Sequence, residues 1–132
     1  MSSFIEKVAW NPEGLAPVVT LDANSGKLLM QAWTNREALA IAIAERRAVY
    51  WSRSRNKLWR KGEESGNVQH LVDVFLDCDN DALCYSVEQV GEVACHTGRV
   101  SCFHQRLVAG EWTTEAPVIK DPALLYKQSQ SG

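Results

Sequence analysis

The 132-residue chain lacks any apolar run near the eighteen or so residues that cross a bilayer, so nothing in it reads as a membrane span. It also lacks an excess of positive charge. With 14 Lys and Arg against 16 Asp and Glu its formal net charge is -2, which argues against a general nucleic-acid binder. The opening Met1-Ser2-Ser3-Phe4-Ile5-Glu6 has neither the basic nor the apolar region of a secretory signal, and the expected location is cytoplasmic. Cysteine is scarce, at four residues, and no two stand in a Cys-x-x-Cys spacing, which sets aside zinc knuckles. In a reducing compartment such thiols serve as metal ligands or small buried groups rather than disulfides. Internal repeats are absent too, and the length fits one domain.

What is present is unevenly spread. Residues 46 to 61 hold seven of the basic residues and no acid, whereas residues 62 to 98 hold eight acids and no Lys or Arg. Two solvated surfaces would account for this; so would a basic wall for an anion facing an acidic wall for cations.

The elements follow from local pattern. Trp10-Asn11-Pro12-Glu13-Gly14 reads as a turn, Val18 to Asp22 as a strand, Ala23-Asn24-Ser25-Gly26 as a turn and Lys27 to Trp33 as the returning strand. Thr34 as N-cap with Glu37 three residues on forms a capping-box pattern opening one main helix, about 35 to 47, with Leu39 and Ile43 on one face. Two short strands joined at Asn56-Lys57 come next. The alternation of Val68, His70, Val72, Val74 and Leu76 predicts a further strand, and Leu83 to Val90 and Phe103 to Val108 are two more.

Chemistry concentrates in residues 77 to 102. Asp77, Asp79 and Asp81 alternate with Cys78 and Asn80; in an extended segment the period of two sends the three carboxylates to one side and the thiol to the other. Hard carboxylates suit Mg²⁺ or Ca²⁺, and soft thiolates at Cys78, Cys95 and Cys102 suit Zn²⁺. A calcium loop of the EF-hand kind matches at Asp77, Asp79, Asp81 and Glu88 but fails at Ala82, where glycine is required. Three thiolates with an open fourth position make a catalytic zinc; His96 as a fourth ligand makes a closed, structural one. Spacing leaves both open. His96 is also the nearest candidate general base, with an ordinary pKa of ~6.5. Upstream, Trp51, Arg53, Arg55, Trp59 and Lys61 suggest rings that stack on a base and cations that hold phosphate, against the plainer reading of core tryptophans and solubilising cations.

These stretches resemble the phosphoribosyl-AMP cyclohydrolase family. The likeness runs from about Leu15 to Gln105, through Ala32-Trp33-Thr34-Asn35-Arg36-Glu37-Ala38-Leu39, Tyr50-Trp51-Ser52-Arg53-Ser54-Arg55, Leu58-Trp59-Arg60-Lys61-Gly62, Ser65-Gly66, Asp77-Cys78-Asp79-Asn80-Asp81-Ala82-Leu83 and Cys95-His96-Thr97-Gly98-Arg99. The resemblance implies an α+β, β-dominated single domain with a mixed, barrel-like sheet, one main helix and an intertwined homodimer. It implies Zn²⁺ held by Cys95 and Cys102 of one subunit with Cys78 of the other, and Mg²⁺ at Asp77, Asp79 and Asp81. His96 would be the catalytic base, and Trp51, Arg53, Arg55, Trp59, Lys61 and Arg99 would be substrate contacts. The implied reaction adds water to C6 of the N1-ribosylated adenine of phosphoribosyl-AMP and opens the ring, a step of histidine biosynthesis. Val100 stands where many members carry a second arginine, Cys84 is expected as core packing, and no fused pyrophosphohydrolase domain is expected. Two alternatives are a zinc nucleotide deaminase, whose cytidine-type His-x-Glu and Pro-Cys-x-x-Cys signature is absent, and a non-catalytic zinc-stapled dimer module.

Overall fold

The computed structural model describes residues 3 to 63, 65 to 92, 94 and 99 to 115. Its elements are α1 (Ser3–Lys7), β1 (Leu15–Asp22), β2 (Leu28–Asn35), α2 (Arg36–Glu45), β3 (Val49–Ser52), β4 (Lys57–Arg60), β5 (Gln69–Leu76), β6 (Leu83–Gln89), β7 (Gln105–Val108) and β8 (Glu111–Thr114). β1 to β6 form one six-stranded sheet in the order β4-β3-β2-β1-β6-β5, and β7 and β8 pair as a separate hairpin. The sheet is mixed, because β6 runs parallel to β1 while the other neighbours are antiparallel. It curls into a half-barrel rather than a closed barrel. One end is drawn together by the bridge between Arg47 and His70, where the Ala48 N–H donates to Gln69 O (2.9 Å) and the Leu71 N–H to Arg46 O (2.9 Å).

The concave face is the core. Ala16 and Val18 of β1, Met30 of β2, Tyr50 of β3 and Leu83, Tyr85 and Val87 of β6 are buried there together. The Tyr50 ring lies 5.5 Å from Trp59 and 5.8 Å from Tyr85. Its hydroxyl donates to Gln69 Oε1 (2.6 Å) and meets Thr20 Oγ1 (2.8 Å), so this buried hydroxyl is paired. Burial pushes the Tyr50 hydroxyl pKa far above its ordinary value, and it stays neutral.

Four expectations need correction. Thr34 does not cap the helix: it is fully buried in β2, paired with Ala16, and Asn35 Oδ1 accepts the Ala38 N–H (2.8 Å) instead. Glu37 is therefore one position short of a capping box, and the helix spans Arg36–Glu45, ended by Arg46 in the left-handed conformation (φ 53°, ψ 43°). The buried side chains of α2 are Ala38, Leu39 and Ala42, and Ile43 is exposed. In β5 the alternation from Val68 to Leu76 breaks at a bulge between Leu71 and Asp73, which leaves His70 and Val72 outside while Gln69 and Leu71 face in. Cys84, between inward Leu83 and Tyr85, lies half-buried on the outer face of β6 rather than in the core, and desolvation raises its thiol pKa. α1 and β8 were not anticipated from the sequence.

Candidate active site

Asp77 to Asp81 form the β5–β6 turn, not an extended segment. The Asp77 N–H donates to Ala82 O (3.0 Å), the Asn80 N–H to Asp77 O (3.0 Å), and Asn80 takes a positive φ of 67°. Asp77 Oδ1 accepts the N–H groups of Asp81 (2.9 Å) and Ala82 (3.2 Å), and the Ala9 N–H ties the turn to the body through Asn80 O (2.7 Å). The carboxylates converge all the same: one oxygen from each of Asp77, Asp79 and Asp81 lies within 4.8 Å of the others, all exposed. This crowding is visible in their acidity. Hydrogen bonds to Asp79 and Asp77 push the Asp81 carboxyl up to about 6. For Asp77 desolvation acts upward, but the Ala82 and Asp81 amides and the neighbouring carboxyls carry its pKa below the ordinary range. Three hard carboxylate oxygens converging on one exposed turn fit Mg²⁺, which keeps several of its waters and asks few protein ligands.

Cys78 sits exposed in the same turn, and Cys102 is exposed far across the sheet. The turn lies beyond the Leu76–Leu83 pair, and Leu83 is level with Val18. The Cys102 N–H donates to Leu29 O (2.7 Å), and neighbouring Met30 is level with Thr20. Two strand spacings across and two or more residues along separate these positions by ~12 Å measured over the sheet. A zinc ion with both sulfurs at ~2.3 Å allows no more than ~4.6 Å between them. Cys78 and Cys102 are therefore set well apart on the sheet of one chain. Soft thiols exposed on turn segments suit zinc by their chemistry. Cys95 and His96 lie outside the described residues; Ala94, just before them, is within.

The basic aromatic stretch divides between two cavities. One, of about 520 Å³, lies against β4 and is lined by Arg55, Lys57, Trp59, Lys61, Ser65 and Cys102. Met30 and Ala94 line it as well. Trp51 and Arg53 instead line a cavity of about 700 Å³ with Asn35, Arg36 and Glu13, and the Arg53 guanidinium lies 4.4 Å over the Trp33 ring. Trp51 and Trp59 fall on opposite faces of the β3–β4 hairpin, because Trp59 pairs with Tyr50, one residue along from Trp51. Lys57, not singled out in the sequence, joins the first cavity because it is in β4 rather than the turn. Arg99 is half-buried beside Val100. Lys61 is only 8% exposed and its Nζ donates to Ala94 O.

The family model described as phosphoribosyl-AMP cyclohydrolase matches residues 30–104. A phosphoribosyl-AMP cyclohydrolase of Pseudomonas putida (strain W619) is 53% identical over 126 residues, covering 96% of this chain and 97% of its own. One from Pseudomonas aeruginosa (strain LESB58) is 53% identical over 129 residues, covering 98% and 96%. No helix among the described residues is long and apolar enough to cross a membrane.

Proposed function

The chain belongs to the phosphoribosyl-AMP cyclohydrolase family, and from that premise we propose that it hydrolyses the N1–C6 bond of the adenine ring of phosphoribosyl-AMP, yielding the formimino-aminoimidazole carboxamide ribonucleotide of histidine biosynthesis. The observation that carries this reading is the cavity in which Arg55 and Lys57, the Trp59 ring and Cys102 share one wall system with Ala94, the residue before Cys95 and His96. A purine nucleotide with two phosphates asks for such a set: cations for phosphate, an aromatic face for the base, and a nucleophile source at C6.

Ribosylation at N1 leaves the ring cationic, so C6 is electrophilic. His96 takes a proton from the attacking water, C6 becomes tetrahedral, and the C6–N1 bond breaks with the proton delivered to nitrogen. The water oxygen becomes the carboxamide oxygen and the exocyclic nitrogen is kept. Zn²⁺, held by Cys95 and Cys102 with Cys78 of a second copy, would supply acidity to a water at C6. Mg²⁺ at Asp77, Asp79 and Asp81 would neutralise that cluster.

A cytoplasmic homodimer is part of the proposal. The separation of Cys78 from Cys102 within one chain supports a shared metal. So does the exposed apolar surface: Val19 (39% exposed) and Phe75 (56%) lie in one row across the outer face through Cys84, and Leu107 (57%) and Trp112 (69%) pair on the β7–β8 hairpin.

Mixing Cys78→Ser with Cys95→Ser subunits tests this. A heterodimer has one site lacking both thiols and one intact, so mixtures of two inactive parents should regain up to about half the activity per dimer. If all three thiols came from one chain, no activity would return.

A further inference from the structure

Ala94 and residues 100 to 102, the two feet of a neck on either side of Cys95 and His96 in the chain, are both pinned in the described structure. On the far side the Ser101 hydroxyl, 3% exposed, donates to Leu28 O (2.7 Å), and the Cys102 N–H donates to Leu29 O (2.7 Å), fixing this foot to β2. On the near side the Ala94 N–H donates to Val100 O (3.2 Å), closing the neck, while the Ala94 carbonyl turns to the Lys61 ammonium. Ala94 is fully buried at that contact.

The base of Lys61 is held just as firmly. Its N–H donates to Ala48 O (3.2 Å), its carbonyl accepts from Arg47 Nη2 (3.4 Å), and residues 46 to 48 are themselves bridged to β5. Gly62, at φ +82°, lies so close to the backbone of Asn67 and Val68 that the segment has no room to slide. Between these anchors the lysine stem is buried and its ammonium stands 5.3 Å over the Trp59 ring. Arg55 and Lys57 of the same cavity are exposed and can follow a ligand; Lys61 is built into the wall.

We propose that Lys61 is a positioning residue, whose buried ammonium holds the Ala94 carbonyl and thereby sets the segment bearing Cys95, His96 and Cys102, instead of gripping a substrate phosphate. The inference rests on the reading that this segment carries the reacting groups. Lysine suits the task because its compact charge offers three donors on an apolar stem, so one amine can hold a carbonyl while the stem packs against Trp59. A misplacement of about 1 Å in a reacting group costs about 10²-fold in rate, which is the scale on which a lost tether would be felt.

The test uses the full metal-loaded chain as wild type, Lys61→Met and Lys61→Gln. Lys61→Met removes donor and charge at similar volume; Lys61→Gln keeps a donor without charge. Positioning predicts that Lys61→Met lowers kcat by about 10²-fold with KM within about threefold, that Lys61→Gln recovers roughly tenfold of that loss, and that hydrogen exchange across 94 to 102 quickens in Lys61→Met more than in Lys61→Gln. A tenfold or larger rise of KM with kcat kept, alike in both variants, makes Lys61 a phosphate contact and overturns the proposal. Unchanged exchange across 94 to 102 overturns it as well. If Lys61→Met does not fold, Lys61→Gln alone decides by the same KM-against-kcat split. Should the wild type fail to turn over phosphoribosyl-AMP, the activity reading falls, while the exchange comparison still judges the tether.

Discussion

Replacing Gly62 by alanine measures how tightly the wall of the candidate active site is built. Two costs add. The residue has φ +82°, where a Cβ carries a penalty of about 1–2 kcal/mol. That Cβ would also stand 2.2 Å from Val68 N and 2.4 Å from the Asn67 carbonyl carbon, backbone atoms that cannot swing aside. Relieving such an overlap costs about 1–3 kcal/mol in shifted structure. The sum is about 2–5 kcal/mol, a large part of the stability of a domain this size. Gly14 supplies an internal control: it too has a positive φ (+78°), but nothing lies within 4 Å of its Cβ position, so Gly14→Ala should cost only the first part. Urea unfolding of both variants at one fixed protein concentration, read at unchanged m-value, gives the difference directly. Equal losses for Gly14→Ala and Gly62→Ala, or a loss under about 1 kcal/mol at Gly62, would refute the close approach on which the argument depends.

Three further outcomes follow from the site. Asp79→Asn should weaken Mg²⁺ dependence and activity while leaving the fold intact, since it removes charge from an exposed turn with little change of volume; activity that ignores a magnesium titration would reject the assignment. His96→Ala should keep its zinc stoichiometry but slow ring opening by about 10²- to 10⁴-fold, and loss of zinc with the imidazole would make His96 a ligand instead. The Asp81 carboxyl, pushed up to about 6 chiefly by Asp79, holds its proton more tightly in the folded chain than in the unfolded one. The metal-free fold should therefore lose stability as pH rises from about 4 through 6, and Mg²⁺ affinity should climb over the same window, by up to about tenfold per unit, as the ion displaces that proton. Calorimetric titration finding equal affinity at pH 5 and pH 7 would show that Asp81 is not displaced.

The residues that the sequence made conspicuous are those whose partners are close along the chain. Asp77, Asp79 and Asp81 meet because one turn carries all three, and their convergence survives although the extended segment from which it was argued does not exist. The β1–β2 hairpin was legible for the same reason, since Asp22 Oδ2 receives both the N–H (2.7 Å) and the hydroxyl (2.8 Å) of Ser25 and Gly26 takes φ +75°. Thr34 misled because a good capping side chain is also a good strand residue, and the pairing with Ala16 that buries it lies 18 positions upstream. The bulge at Val72 is a choice made between β5 and β6, and no pattern within β5 alone reveals which residue is the extra one.

The distinction between a phosphate contact and a wall lysine is the same problem at longer range. Arg55, Lys57 and Lys61 read alike in sequence, three cations among serines and tryptophans, and any of them suits an anionic substrate. What separates Lys61 is a carbonyl 33 residues away, together with the anchoring of its own backbone to Ala48 and Arg47. The register acts likewise on the thiols: Cys78 and Cys102 are near in the chain, yet the parallel pairing of β6 with β1 carries the first to one end of the sheet while the bond to Leu29 holds the second at the other. Proximity in sequence argues for one shared metal, whereas the sheet sets these two thiols apart within one chain, a separation that the proposed sharing between two chains would answer. Both conclusions follow from strand pairings of long sequence separation, which is where local propensity stops carrying information.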